Sequence, residues 1–399
     1  MTRLLQNSNK DTVMSKLEEL IQRYCPDGVE FYFIKSIAKC SMGEFVHKSK
    51  QDPNAPYPVY NGGATNTGYY KDYNTEENKV IISARGAAGF VNVVEKKFWA
   101  GNSCHVISVL DAGALNYKFL YYALKNVENE LMGMQQKGGI PAVSKKQIEA
   151  IAIPIPPLPV QEEIVRILDA FAELQAELQA ELQKRLQQYN YYRDNLLSFD
   201  GRTDVEWKRL GDVCLKTDNI KWKSTKETYQ YIDLTSVDIQ THNILSTMEI
   251  DSSSAPSRAQ QIVKEDDVIF ATTRPTQMRV CLVPVEYDGQ ICSTGYCVLR
   301  PDSSIVLPQY LFFVLAVESF KTYLLNNQTM GNYPSISNNT LKDYTIPIPS
   351  ISEQRKIVGV LDRFDALTTD LTAGLPAEIE KRRQQYEFYR DKLLTFKRK

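Results

Sequence analysis

The sequence predicts a mixed α/β fold (α+β in character) written twice. Two globular lobes are separated by two long antiparallel helices that form a coiled coil. Three observations predict it: the chain repeats itself at long range, each copy ends in an amphipathic segment of about 40 residues, and a proline-rich stretch precedes each segment. A length of 399 residues exceeds one ordinary domain, and 43% hydrophobic against 24% charged residues leaves apolar mass for more than one core.

The repeat organises everything else. Residues 153–171 read IPIPPLPVQEEIVRILDAF and residues 346–364 read IPIPSISEQRKIVGVLDRF. Further on, QQYNYYRDNLLSF (187–199) matches QQYEFYRDKLLTF (384–396). Fainter matches join IPAVSKKQIEAIAIPIP (140–156) to YPSISNNTLKDYTIPIP (333–349), KFLYYAL (118–124) to QYLFFVL (309–315), and VEFYFIKSIAKC (29–40) to VEWKRLGDVCLK (205–216). The offset is 193 positions at the first match and 197 at the second, so the copies differ by a net four residues. Those four fall in the segment that contains AELQAELQAELQ (172–183). Between these islands the halves diverge, and PYPVYNGGATNTGYY (56–70) has no sequence counterpart after residue 216.

In chain order, residues 1–28 form an N-terminal helical arm. MSKLEELIQRYCPDG sets Leu17, Leu20, Ile21 and Tyr24 on one face, suited to docking on a long helix. Residues 29–157 form the first lobe, where KVIISARG (79–86) and HVISVL (105–110) read as strands and KFLYYALKNV as a short buried helix. NGGATNTG (61–68) does not open a helix after a strand, so it reads as a tight turn. IPIPPLP holds the chain extended, as a domain boundary would. The central helical spacer spans 158–200. Its Ala, Glu, Leu and Gln are strong helix formers, and Leu168, Phe171, Leu174, Leu178, Leu182 and Leu186 recur mostly at three or four residues. The second lobe, 201–349, carries strands at DVIFATTR (267–274) and YCVLRP (296–301) and a buried helix at QYLFFVLAV. The distal spacer, 350–399, repeats the stripe at Leu361, Phe364, Leu367 and Leu371, with Gly374 and Pro376 placed to kink or interrupt it. A helix about 60 Å long cannot bury its stripe alone, so the two spacers pack on each other.

No catalytic constellation is visible. His47, His105 and His242 lie too far apart in sequence to form a metal cluster and read as structural or exposed. There is no phosphate-binding G-x-x-x-x-G-K-[ST] loop. IPPL (155–158) is not the Asp/Asn-Pro-Pro-aromatic loop of an amino-methyltransferase, and the Pro-Asp pairs at 26–27 and 301–302 lack the Glu-x-Lys of a metal-dependent nuclease. The seven cysteines are scattered without a C-x-x-C pair, which fits reduced thiols in a cytoplasm and argues against zinc. No stretch approaches the roughly 20 apolar residues of a membrane span, and MTRLLQNSNK lacks a signal peptide's apolar core. The expectation is therefore a cytoplasmic chain with no cofactor, metal or membrane partner of its own.

Two variable lobes without chemistry point to recognition. The candidate DNA-facing residues are polar and set in irregular segments. ATTRPTQMR (271–279) supplies Thr272, Thr273, Arg274, Gln277 and Arg279. Arg reads guanine through two hydrogen bonds, Gln reads adenine, and Thr serves phosphate or a thymine methyl. In the first lobe the candidates are Tyr60 and Asn61, Arg85, and Gln135, Gln136 and Lys137 of MQQKGG. NQTMGNYPS (327–335) holds the position of MQQKGGIPA (134–142) and adds Asn332 and Tyr333. A scaffold role stands beside base contact for each, and Arg274 leads the set. A net charge of −1 does not by itself advertise nucleic-acid binding, so a DNA-binding chain of this composition would work with partners.

The layout resembles the DNA-specificity subunit of type I restriction–modification systems over almost the whole chain. The resemblance is carried by IPIPPLPVQEEIVRILD and IPIPSISEQRKIVGVLD, the paired QQY-x-[YF]-YRD-x-LL segments and RYCPDGVEF (23–31). It implies that residues 29–157 and 201–349 are target-recognition domains, each reading half of a split, asymmetric site in double-stranded DNA. The helices would hold them apart and dock two copies of a modification subunit, which binds S-adenosylmethionine and methylates adenine. Restriction subunits driven by ATP would translocate and cut. The matching helices imply a pseudo-two-fold axis within one chain. The AELQ run resembles the short tandem repeat that some members carry, which alters the gap between half-sites. One unit lengthens a helix by about 6 Å and turns it about 40° beyond a full revolution, against about 3.4 Å and 35° per base pair.

Two other readings remain open at this stage. A non-enzymatic coiled-coil scaffold with two ligand-binding lobes would bind without regard to DNA sequence or salt. A self-sufficient methyltransferase or nuclease would need the motifs that are missing. The AELQ run could also be an ordinary solvated helix with no ruler function.

Overall fold

The structure is a computed structural model that describes the backbone of residues 8–134, 141–369 and 374–399, and the side chains of residues 16–134, 141–364 and 374–399. The chain divides into two units, Met1–Ala176 with Lys381–Lys399, and Glu177–Glu380. One boundary falls inside the AELQ run.

In the first unit α1 (Ser8–Tyr24) precedes β1 (Phe31–Phe33), the one-turn α2 (Ile34–Ile37) and β2 (Ala38–Met42). β3 (Tyr57–Tyr60), β4 (Gly68–Tyr70), β5 (Lys79–Ser83), β6 (Val91–Val94), β7 (Trp99–Ala100) and β8 (Cys104–Val109) follow. Then come α3 (Tyr117–Asn126), α4 (Glu128–Gly133), α5 (Lys145–Glu149), β9 (Ala152–Pro154) and the long α6 (Leu158–Leu196). The strands form a four-stranded sheet ordered β2-β8-β5-β6, a three-stranded sheet ordered β4-β3-β7, and the β1-β9 pair. β5 reads as a continuous apolar run because it is central and covered on both faces: Val80, Ile81 and Ile82 are all buried. Local chemistry sets the helix starts. The Asn116 side chain caps α3 by accepting from the amides of Lys118 and Phe119, and Ser144 with Gln147 forms a capping box on α5.

The arm docks as its stripe predicts. Leu17 is fully buried in the first core, with Leu20 and Ile21 packed beside it. Lys16 Nζ lies 2.8 Å from the buried Glu163 carboxylate on α6, which also pairs with Arg166 at 2.6 Å. Tyr24 departs from the expected face: it is exposed, with the Arg23 guanidinium 5.2 Å from its ring centroid.

The second unit contains β10 (Glu206–Arg209), β11 (Cys214–Leu215), β12 (Tyr229–Ile232), β13 (Met248–Ile250) and β14 (Ala259–Ile262). These lead to β15 (Val268–Ala271), β16 (Val280–Leu282), β17 (Ile291–Ser293), β18 (Tyr296–Pro301) and β19 (Thr345–Ile348). Its helices are α7 (Pro308–Val314), α8 (Glu318–Asn327), α9 (Asn338–Lys342) and α10 (Ile351–Thr369). The sheet orders are β11-β18-β15-β16 and β13-β12-β17-β14, with a β10-β19 pair. β12 runs antiparallel to β13 and parallel to β17, as β3 runs antiparallel to β4 and parallel to β7. The stretch 56–70, without a sequence counterpart in the second half, therefore has a structural one in the β12–β13 pair. Strand pairing is made by the backbone, so divergent side chains can keep one topology. β14 is longer than its counterpart: in the first unit that side of β7 carries an antiparallel bridge of Thr75 to Phe98.

The distal spacer contains α10 and α11 (Leu375–Leu394), with Gly374 and Pro376 at the head of the second helix, where proline is tolerated. Within the first unit Phe171 of α6 stacks on Tyr389 of α11, centroids 5.4 Å apart. Within the second, Tyr192 of α6 stacks on Phe364 of α10 at 5.8 Å. Leu168 and Leu361 are fully buried, whereas Leu174, Leu178, Leu182 and Leu186 are half-buried. The side chains of Leu367 and Leu371 lie outside the described residues.

Each long helix is tied to its lobe by the same device. Gln161, in the first turn of α6, is fully buried. Its Oε1 accepts from the amide of Asn116 (2.9 Å), and its Nε2 donates to the carbonyls of Ala114 (2.9 Å) and Pro156 (2.7 Å). Gln354, in the first turn of α10, is equally buried; it accepts from Leu307 (2.8 Å) and donates to Ile305 (2.9 Å) and Pro349 (2.9 Å). Asn116 and Leu307 are the N-caps of α3 and α7, so each glutamine couples the direction of a long helix to a helix of the lobe.

Candidate nucleic-acid interface

The irregular segments nominated by sequence meet at one end of the second lobe, and in the first lobe the described ones around Asn61 and Arg85 meet likewise. In the second lobe, β15 is buried throughout and runs into residues 272–279 before β16 returns. The segment before α9 lies alongside. The amide of Arg274 donates to the Pro334 carbonyl (2.7 Å), that of Ile336 to Thr272 (2.9 Å), and Thr273 bridges Ser335. ATTRPTQMR and NQTMGNYPS, far apart in the chain, thus form one surface. On it the Arg274 guanidinium sits 5.0 Å from the Tyr333 ring centroid. A cation–π contact of this kind uses no N–H donor, so the guanidinium donors stay available to a ligand. Gln277 and Asn332 are exposed, and Met330 and Tyr333 are 92% and 72% exposed.

The candidates are not equivalent. Thr272 is buried, and its hydroxyl donates to the Gly295 carbonyl (2.9 Å); it faces into the lobe and cannot present that hydroxyl to a ligand. Arg279 is half-buried and donates to the Val237 carbonyl, bracing the return of the turn. Thr273 is half-buried, while Arg274, Gln277, Asn332 and Tyr333 project.

The first lobe has the matching turn between β5 and β6. Val143 donates to Ala84 (3.0 Å) and Arg85 bridges Ala142, the counterparts of Ile336 to Thr272 and Thr273 to Ser335. Arg85 is exposed. The register makes Gly86 the equivalent of Arg274, and both are left-handed, with φ of 73° and 49°. A physical reason separates them. A Cβ on Gly86 would lie 2.8 Å from the Gly62 carbonyl oxygen, which accepts from Ala87 (2.9 Å), so only glycine fits. Arg274 carries its side chain at a cost of about 1–2 kcal/mol for the left-handed backbone. Tyr60 and Asn61 are scaffold in the first instance: Tyr60 packs edge-on against Phe98 at 5.6 Å, and Asn61 Oδ1 accepts from the Ser103 amide (3.1 Å). Gln135, Gln136 and Lys137 lie outside the described residues.

Burial governs the interior histidines and thiols. Burial holds His105 and His242 below the ordinary histidine range, and their ring nitrogens lie 2.9 and 3.2 Å from the Val143 and Val280 carbonyls. Burial pushes the thiols of Cys104, Cys214 and Cys281 up to about 12, which leaves them protonated and unreactive at neutral pH. Among the described residues no group of three or more His, Cys, Asp or Glu could hold a metal ion, and no helix is long and apolar enough to cross a membrane.

Sequence reasoning missed Gln161 and Gln354, which position the lobes, and the exposed Met330. The glutamines carried a usable signal, since they recur at the repeat offset inside PVQEEI and SEQRKI.

Comparison with known proteins agrees with this architecture. The chain matches the type I restriction modification DNA specificity domain over residues 26–188 and again over 203–381. It is 33% identical over 301 residues to the specificity subunit of the type I restriction enzyme EcoR124I/EcoR124II of Escherichia coli, covering 70% of each chain. It is 32% identical over 375 residues to S.HindORF215P of Haemophilus influenzae, named for the same class of subunit, covering 88% of this chain and 90% of that one. The fold is that of the crystallised S subunit of a type I restriction–modification system from M. genitalium, with a TM-score of 0.58 at 19% identity, covering 92% and 97% of the two chains. The chain belongs to the type I restriction–modification DNA specificity family, whose members are recognition subunits and not the catalysts of their systems.

Proposed function

We propose that this chain reads a split, asymmetric sequence in double-stranded DNA, one half-site per lobe, through the β5–β6 turn of the first lobe and the β15–β16 turn of the second. The observation that carries the reading is the pair of equivalent tips. One topology holds both, yet one ends in Arg85-Gly86 and the other in Thr273-Arg274, so the two lobes offer different donors from the same place. Arg274 is assigned to a guanine and Gln277 to an adenine, with Thr273, Asn332 and Tyr333 as flanking contacts. Arg85 leads in the first lobe, with Gln135, Gln136 and Lys137 as further contacts there. Thr272, Arg279, Tyr60 and Asn61 act by holding the tips.

The long helices set the gap between half-sites, each AELQ unit adding about 6 Å and 40°. They also dock two copies of a modification subunit, which supplies S-adenosylmethionine and methylates adenine; ATP-driven restriction subunits join the same assembly in the cytoplasm. This chain supplies no cofactor chemistry. The test is a genome-wide map of methylated adenines in cells expressing the chain with its modification subunit. A two-part motif with a fixed gap is expected, and Arg274→Ala should relax one half only. Absence of any motif, with the partner active on another specificity chain, would favour the scaffold reading.

A further inference from the structure

β14 changes what the edge of the second lobe presents. The Ile220 amide donates to Gln260 (2.8 Å), the Ile262 amide to Asp218 (3.0 Å), and Trp222 Nε1 to Ala259 (2.7 Å), so residues 218–222 run along β14. Trp222 packs edge-on against Tyr229 at 5.8 Å, and with Ile220 it seals a small core of Tyr231, Ile250, Ala259 and Ile291. A segment fixed by an indole and two backbone hydrogen bonds is a built surface. Lys221, Lys223 and Lys226 stand exposed on it, with Arg258 exposed just before β14. Among the described residues none of the four has an ion pair, although the chain as a whole holds nearly equal numbers of acids and bases.

The strip lies at the end of the lobe that carries Arg274. The Thr294 amide donates to the Arg258 carbonyl (2.9 Å), and the next residue, Gly295, accepts from both the amide (2.8 Å) and the hydroxyl (2.9 Å) of Thr272, two residues before Arg274. The first lobe keeps a related feature. Its 3₁₀ turn at Lys48–Lys50, between β2 and β3, matches the turn at Trp222–Ser224 between β11 and β12, and it too holds exposed lysines. Two stretches that share little sequence keep lysines at one topological position.

We infer that Lys221, Lys223, Lys226 and Arg258 form a phosphate-binding strip that grips the DNA backbone beside the bases met by Arg274. The inference rests on the DNA-reading function proposed above. Lysine suits the task, because an ammonium on a flexible stem serves as a point charge for phosphate and carries no base code. The strip sets register and affinity, and Arg274 sets sequence.

The test uses the full chain assembled with its modification subunit, titrated against a 40-base-pair duplex carrying the mapped methylation site and a scrambled duplex of the same length. Affinities are measured between 50 and 200 mM NaCl. Each phosphate contact contributes about 0.9 to the slope of log K on log salt, so four contacts make the wild-type complex lose about 150-fold more affinity over that range than a variant with all four changed to Gln. The Gln variant should weaken on both duplexes alike, keep the ratio between them, and methylate an unchanged motif. A variant with Lys221→Arg, Lys223→Arg and Lys226→Arg should keep the wild-type slope, which separates charge from folding. The strip is overturned if wild type prefers the site duplex while the Gln variant retains its slope, or if the Arg variant loses the slope. Failure of wild type to prefer the site duplex would overturn the sequence-reading function itself.

Discussion

Arg274 couples strain to recognition, and replacing it by Gly and by Ala separates the two. Its φ of 49° places a branched backbone where the matching first-lobe residue is Gly86. Ala keeps the Cβ and therefore the left-handed cost of about 1–2 kcal/mol; Gly removes it but adds about 0.5–1 kcal/mol of unfolded-chain entropy. Both lose the Tyr333 stack, worth about 0.5 kcal/mol at an exposed site. The second unit should thus be more stable with Gly than with Ala by about 0.5–1 kcal/mol, the reverse of the order at an ordinary position. In a unit of this size that is a difference in Tm of about 1–4 °C, read by thermal and urea unfolding of the full chain. DNA discrimination should fall equally in both, by about 1–3 kcal/mol or roughly 5- to 150-fold, measured as the ratio of site to scrambled duplex affinity. Ala more stable than Gly would refute the strain argument. Discrimination retained by either variant would refute the base-reading role.

Further perturbations test what holds the lobes. Gln354→Leu strands the Leu307 amide and two carbonyls in a dry site and should cost about 3 kcal/mol or more in urea unfolding, with Gln161→Leu the same in the first unit. Asp267 is buried against Arg300 through two contacts of 2.8 and 2.9 Å, so Arg300→Met should destabilise the second unit by about 3–5 kcal/mol; Asp267→Asn added to it should recover part of the loss. Arg166, with Lys16, holds the Glu163 carboxyl below its ordinary range. The carboxylate's contribution to docking the arm is therefore at full strength above the usual carboxylate pKa of about 4.3 and is lost as pH falls through the lower folded value. Amide exchange in residues 16–24, corrected for intrinsic rates, should rise in acid in wild type and be independent of that titration in Glu163→Gln.

Much of the architecture was legible because repetition is visible without any structure. The doubled IPIP segments located both lobe–helix junctions, and the unbroken run of good helix formers gave α6 as a single helix of 39 residues. Buried strands such as β5 and β15 announced themselves as short apolar runs. The β3–β4 hairpin and its partner β12–β13 were illegible as equivalents, since backbone pairing tolerates unlike side chains. Arg274, Gln277, Asn332 and Tyr333 were each nominated from residue chemistry, but their assembly into one surface depends on hydrogen bonds between segments some 55 residues apart in the chain. Thr272 was misplaced for a simple reason: a hydroxyl beside an arginine looks exposed until the strand's continuation turns it toward Gly295. Gln161 was hidden by its setting, because a glutamine among glutamates reads as a solvated helix face.

The most direct measurement is the adenine-methylation map taken with and without residues 176–179, one AELQ unit of α6. A helix that sets spacing predicts the same two half-sites with the gap shortened by one base pair, the change closest to the 40° turn removed. An unchanged gap, or an altered half-site, would contradict it.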